Sequence, residues 1–263
     1  HRGSCKMLKV SKLAPSGTIM LSHDPSRNAL SRAMVRSLAE AFSDFHREKS
    51  VRAIILTASG TTFCSGVDLK EWYDVSQDAD PLEQWECIAS EFLELIETML
   101  RFPKPIIVAL DGAVHGMGLA LVLASDLVVS SSKSAFSSPA SKHGLISGLV
   151  APLLAFRCGG GVASRMLLGT ESLDAEEAYR VGLVQYKVQP EQIWAKAHAI
   201  ACQVSECAPE SVQMTKRLLN EMIGESLLTN LSSGAALLAT VCSTNACLEG
   251  LKAFQEKRKP TFE

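Results

Sequence analysis

An α/β fold is predicted from three features of the chain. Apolar runs of strand length alternate with amphipathic helical stretches through the first two thirds. Two of those runs lead into glycine-bearing bends that open onto helices, and beyond Pro190 the pattern becomes wholly helical. With 263 residues, 47% of them hydrophobic and 21% charged, there is enough apolar material for a substantial core.

Taken in order, residues 5–10 and 17–22 read as two short strands turning through Pro15, Ser16 and Gly17, followed by a polar loop at 24–28. Ser31 can cap a helix running to about residue 45, because Met34, Leu38, Ala41, Phe42 and Phe45 recur at helical spacing. Residues 51–57 form the next buried strand, and the acidic, polar stretch 73–84 reads as a mobile connection. The clearest helix follows, with Trp85, Ile88, Ala89, Phe92, Leu95, Ile96 and Met99 on one face. Pro103 and Pro105 lead into a strand at 106–110, a turn at Asp111 and Gly112, a bend at Gly116, Met117 and Gly118, and an apolar helix. Short strands at 127–129 and 134–136 precede an irregular segment that starts at Pro139, and Gly159 to Gly161 read as a loop and helix start. The last third is helical, broken at Pro209 and near Gly224 and ending in a helix over 248–259. The expected division is a core at 1–195 and a helical region at 196–263.

Charge and composition exclude several functions. Twenty-six basic residues are dispersed among 28 acidic ones for a net charge of −2, so no basic face for nucleic acid emerges. No run is long and apolar enough to predict a membrane span. Six histidines lack HExxH or similar ligand spacing, so no metal is predicted, and there is neither a GxSxG elbow nor a GxxxxGK loop. Eight cysteines without a CxxC pair fit a reducing intracellular compartment such as the cytoplasm. The chain opens at His1 with its first methionine at position 7, so removal of a targeting segment would allow the mitochondrial matrix.

The two bends are where chemistry is expected. A strand that feeds a glycine bend and then a helix leaves the first helical N–H groups without intrahelical partners, at the positive end of the helix dipole. Such a place can hold an anion or a developing oxyanion. The plainer reading is that the glycines only permit close packing.

The motifs carry the argument further. FCSGVDLK at 63–70 and KPIIVALDGAVHGMGLALVLASD at 104–126 occur with SRNAL at 26–30, FSSPASKHGLISG at 136–148, LDAEEAYRVGLV at 173–184 and FQEKRKP at 254–260. In this order and over nearly the whole chain, they resemble the crotonase (enoyl-CoA hydratase/isomerase) family. The resemblance implies the crotonase fold, a spiral of repeated ββα turns whose C-terminal helices build a homotrimer or a dimer of trimers. It also implies an acyl-CoA substrate, with coenzyme A as thioester carrier and no further cofactor. By position, the backbone amides of Val67 and Met117 would form an oxyanion hole for the thioester carbonyl. Contacts to coenzyme A would fall to Arg27, Ala29, Leu30, Ser65, Gly66, Asp68, Leu69, Lys70, Phe254 and Lys257, although Asp68 equally suits a turn cap and Lys257 a solvated helix charge. The substrate pocket would include Gly116, Ala120, Pro139, Ala140, His143 and Gly144.

One departure from the family pattern matters most. The positions of the two hydratase glutamates are occupied here by Ala120 and Ala140. Alanine can neither place a water nor carry a proton, and each lost acid or base commonly costs about 10²- to 10⁴-fold. Standard two-glutamate hydration is therefore not expected. Among substitutes, His143 titrates near neutrality and is a candidate catalytic base, while His115 reads as a satisfied turn residue. Glu71, Tyr73 and Asp74 read as surface loop. The expected activity is that of an acyl-CoA lyase, isomerase, decarboxylase or hydrolase, and the alternative is an acyl-CoA-binding or partner-binding protein that kept the fold.

Overall fold

The computed structural model describes residues 7–222 and 224–262. Cys5 and Lys6 of the expected first strand lie outside the described residues. β1 (Leu8–Leu13) and β2 (Ser16–Leu21) form an antiparallel hairpin, paired from Leu8 with Leu21 to Leu13 with Ser16. α1 (Arg32–Arg47) starts at Ser31, whose hydroxyl accepts from the Met34 N–H, and it buries the predicted face of Met34, Leu38, Ala41, Phe42 and Phe45.

The chain then repeats a strand, strand, helix unit. β3 (Ala53–Ala58) and β4 (Thr62–Cys64) lead into α2 (Leu69–Ser76) and α3 (Leu82–Arg101). β5 (Ile106–Leu110) and β6 (Ala113–His115) lead into α4 (Met117–Ala124). β7 (Leu127–Ser131) and β8 (Ala135–Ser137) lead through a 3-10 turn at Ala140–His143 into α5 (Val150–Cys158) and α6 (Gly160–Leu167). A shorter unit of β9 (Leu173–Asp174), α7 (Ala175–Arg180) and β10 (Tyr186–Val188) closes the series.

The first strands of the units join β1, β2 and β10 in one sheet, ordered β1-β2-β3-β5-β7-β10, while the second strands form another, ordered β4-β6-β8-β9. β3 and β5 sit in the centre of the larger sheet, covered on both faces, which explains their unbroken apolar sequences. Alternation sends Ile54, Leu56, Ile106 and Val108 into the main core. Ala53, Ile55, Ile107 and Ala109 face a smaller core completed by α8 (Ile193–Ser205).

One expectation is corrected. The connection expected at 73–84 is shorter, because residues 73–76 end α2 and 82–84 begin α3; α2 is started by the Asp68 carboxylate, which accepts from the Lys70 and Glu71 N–H groups, and Trp72 is buried. One buried side chain in a polar stretch gives too little periodicity to reveal a helix. After α9 (Pro209–Arg217), α10 (Glu225–Cys242) and α11 (Asn245–Gln255) do more than cover a finished core. Their Leu227, Leu231, Leu238, Cys247 and Leu251 belong to the same hydrophobic cluster as Leu30, Trp72 and Phe92. Among the described residues no single helix is long and apolar enough to cross a membrane.

α4 is apolar all round and buried along its whole length. Its C-terminal end is closed by Arg157, which donates to the Leu123 carbonyl at 3.0 Å and the Ser125 carbonyl at 2.9 Å. Next to it, Lys216 Nζ lies 2.7 Å from Asp126 Oδ2, an oxygen that also accepts from the Ile106 N–H. Lys216 is 6% exposed, and burial pulls its pKa down while Asp126 opposes that shift. A buried cation with a paired carboxylate satisfies the geometry such a group requires.

Candidate functional site

The N-terminal end of α4 is arranged differently. Gly116 has φ +50° and ψ −121°, a conformation costly for any residue with a Cβ, and it turns the chain from β6 into the helix. Leu119 and Ala120 donate N–H bonds back to the Gly116 carbonyl, and Gly116 N–H itself donates to the Ser137 carbonyl at 2.9 Å. Met117 N–H finds no protein acceptor among the described residues.

The bend after β4 meets this one. Gly66 has φ +97°, and a Cβ built there would lie 3.2 Å from the His115 carbonyl oxygen and 3.7 Å from the Met117 nitrogen. Gly66 O accepts from Leu30 N–H at 2.7 Å and Leu30 O accepts from Asp68 N–H at 3.3 Å, which fixes the turn on either side of Val67. Val67 N–H, between them, also has no protein acceptor among the described residues. Two unpartnered donors thus stand on abutting bends. Both line one cleft, which holds about 650 Å³ of unfilled space, part of it open to solvent.

The same ladder brings together most of the residues expected to contact coenzyme A. Arg27, whose carbonyl accepts from Ser65 N–H at 3.1 Å, is exposed at the cleft's margin. Ala29 and Leu30 are buried directly behind it. The neighbouring Asn28 is fully buried, and its side-chain amide donates to the carbonyls of Ser59 and Thr62, clamping this loop to the start of β4. Gly66 and Leu69 line the cleft, Lys70 is exposed, and the Asp68 carboxylate is occupied as the cap of α2. Ser65 lines the cleft while its hydroxyl donates to the Ser26 carbonyl. From the far end of the chain, Phe254 sets its ring edge-on to His143 with centroids 6.3 Å apart. Lys257 lies in the exposed turn after α11, its N–H donating to the Phe254 carbonyl.

Among the expected pocket residues, Gly116, Pro139, Ala140 and His143 line the cleft. Two do not. Ala120 is wholly inside the core and does not line the cleft. Gly144 backs onto α11 instead, where a Cβ would come within 2.1 Å of the Ala246 carbonyl oxygen. The apolar part of the cleft is walled by Trp72, Leu145, Ile146, Leu149, Val150 and Leu238. Sequence analysis assigned none of these to the site, since they come from elements far apart in the chain. The leucine at 238 is delivered by α10, which crosses the segment before α5 so closely that a Cβ on Gly234 would stand 2.0 Å from the Gly148 carbonyl oxygen.

Polar groups in this cleft are few. Ser138 and Ser147 share a hydrogen bond at 2.8 Å. Among the lining residues, the titratable side chains are His115 and His143. Burial pulls both pKa values below the ordinary 6.5, aided by the charge of Arg27 for His115 and of Lys142 for His143, so both rings are neutral at pH 7. His143 Nδ1 is buried with no hydrogen-bond partner. Burial pushes the thiol of Cys64, packed behind the two bends, up to about 12, which leaves it inert as a nucleophile. Glu71, by contrast, is tied into structure, its carboxylate accepting from the Arg32 N–H.

Comparison with known proteins gives a consistent result. The family model described as enoyl-CoA hydratase/isomerase matches residues 17–263. The chain is 32% identical over 245 residues to a putative enoyl-CoA hydratase of Thermus thermophilus, covering 93% of this chain and 96% of that protein. It is also 32% identical over 244 residues to the mouse mitochondrial enoyl-CoA hydratase domain-containing protein 3, covering 93% and 80% of the two chains. A solved methylmalonyl-CoA decarboxylase in complex with 2-nitronate-propionyl-CoA superposes with a TM-score of 0.82 at 26% identity, over 99% of each chain.

Proposed function

The chain belongs to the enoyl-CoA hydratase/isomerase family, and on that premise we propose that it binds an acyl-CoA thioester in this cleft and polarises its carbonyl with the N–H groups of Val67 and Met117. One observation carries the reading: two backbone donors without protein acceptors face one apolar cleft from abutting bends. A thioester oxygen that gains charge as an enolate forms would satisfy both. Each well-aimed donor is worth about 2.7 to 4 kcal/mol in the transition state.

The carrier would run along the segments holding Arg27, Ala29 and Leu30 and Ser65 to Lys70, with Phe254 and Lys257 at its outer end. That places the thioester at the bends and the acyl group against Trp72, Leu149 and Leu238. No lysine or arginine lines the cleft among the described residues, so the acyl group that fits is an uncharged hydrocarbon rather than one bearing a second carboxylate. Proton transfer falls to an imidazole, with His143 beside the vacated position of Ala140 as one candidate. With alanine at 120 and 140, the reaction is not the two-glutamate hydration.

Assembly as a homotrimer or a dimer of trimers is supported by an apolar groove between α5, α6 and α10, along which Leu168 is 83% exposed and Leu237 51% exposed. Seven cysteines among the described residues are free, which supports a reducing compartment, cytoplasm or matrix. Light scattering of the purified protein tests the assembly.

For the site, calorimetric titration with butyryl-CoA should show binding that weakens sharply when Gly66→Val closes the bend. Crotonyl-CoA should lose its conjugated absorbance only slowly. Rapid hydration would overturn the reading of Ala120 and Ala140. Tight binding with no turnover or proton exchange would favour the second reading, an acyl-CoA-binding protein that has kept the site's carbonyl-holding half.

A further inference from the structure

The cleft contains a second imidazole, and its surroundings differ from those of His143. His115 ends β6, one residue before the Gly116 bend that presents the Met117 amide. Across the parallel pairing of β6 with β8 its register partner is Ser137, and Nδ1 of the ring lies 2.6 Å from the Ser137 hydroxyl oxygen. Nε2 has no protein partner among the described residues and is not among the polar atoms sealed from solvent. A base that works needs one nitrogen held by an orienting group and the other free toward the reactant. His115 meets both conditions. His143 meets neither at Nδ1, which is buried and unpartnered against the packing of Phe254.

Resting on the acyl-CoA reading above, we propose that His115, oriented by Ser137, is the base that removes and returns the proton α to the thioester carbonyl. When Nδ1–H donates to Ser137 Oγ, the Nε2 lone pair takes the proton from the α carbon. The electron pair of the broken C–H bond becomes the enolate double bond, and the carbonyl π pair moves to oxygen, where Val67 and Met117 N–H hold it. The reverse step returns a proton from Nε2 to the same carbon, so nothing is oxidised and no co-reactant is consumed. His115 and Met117 stand two residues apart and line the same cleft, which brings the base to the side of the proposed carbonyl site. The charge of Arg27 nearby also favours the neutral, base-competent ring.

The test is hydrogen–deuterium exchange at the α carbon of butyryl-CoA in deuterated buffer, read by mass spectrometry, with affinity measured separately by calorimetry. The full-length protein should exchange the α position, and His115→Ala should slow exchange by about 10²- to 10⁴-fold with affinity retained. Added imidazole should restore part of the lost rate, a rescue that a merely structural role would not give. Ser137→Ala should shift the pH profile of exchange, and Ser137→Thr should restore it. Thermal unfolding of each variant separates loss of the base from loss of the fold. Binding and exchange in the parent that survive in His115→Ala but vanish in His143→Gln would overturn this assignment and leave the acyl-CoA reading intact. Binding without exchange in the parent would also overturn it, whereas absence of binding would overturn both.

Discussion

The two ends of α4 are built to opposite rules. At its C-terminal end, Arg157 covers the Leu123 and Ser125 carbonyls and Lys216 neutralises Asp126, so these groups have partners inside the protein. At its N-terminal end, Met117 N–H is left without one among the described residues, beside an equally unpartnered Val67 N–H. Any helix begins with orphan donors and ends with orphan acceptors. The difference between the two ends separates the orphans that the fold resolves within itself from those it leaves open at the cleft. The closed end should therefore fail by unfolding and the open end by losing chemistry.

The largest effect is expected at the closed end. Lys216→Ala strands the Asp126 carboxylate, whose side chain is 18% exposed, and should destabilise the protein by about 3 to 5 kcal/mol in urea denaturation. An unchanged midpoint would show that the pair is not needed to seal this end. Met117→Pro removes the orphan N–H at the first helical position, where proline is tolerated. It should slow α-proton exchange by an amount worth about 2.7 to 4 kcal/mol while the melting temperature falls far less than for Lys216→Ala. Equal loss of stability in both variants would erase the contrast between the ends.

The two alanines sharpen the comparison. Ala140→Glu adds a carboxylate on the cleft wall and should raise crotonyl-CoA hydration by up to about 10²-fold, measured by loss of enoyl absorbance. Ala120→Glu places a charge in a fully buried position and should destabilise instead. The smallest expected effect is a pH dependence. His115 and His143 both have folded-state pKa values below 6.5, so as pH falls through that value the unfolded chain takes up protons first. Stability should then fall by at most about 1.4 kcal/mol per pH unit for each ring, until the folded-state values are passed. Above 6.5 the contribution vanishes. Urea midpoints collected on both sides of that pH, for the parent and for a His115→Asn, His143→Asn double variant, should diverge only on the acid side.

Much of this architecture is legible in the sequence because it is written in periodic terms. The unbroken apolar runs of β3 and β5 and the apolar face of α1 follow directly from the sequence pattern, and the glycines of the two bends identify where the backbone must take unusual angles. α2 is illegible for the opposite reason: its helix rests on the Asp68 cap and one buried tryptophan. Matching Ala120 to a glutamate position suggests a pocket residue, but a methyl group does not extend to the cleft wall. His115 reads as a turn residue because the group that orients it, Ser137, lies 22 residues away across a parallel strand pair. The apolar walls of the cleft are equally hidden, since Trp72, Leu149 and Leu238 meet only through tertiary packing.

The crossing of Gly148 and Gly234 governs how the cavity is completed. With the two backbones in direct contact, a methyl on either glycine would act as a wedge, lifting α10 and withdrawing Leu238 from the hydrocarbon end. The spiral of strands would remain, along with both bends, but the chamber would lose its roof. The shape of the cleft's apolar part is thus set by how tightly two bare stretches of main chain are pressed together.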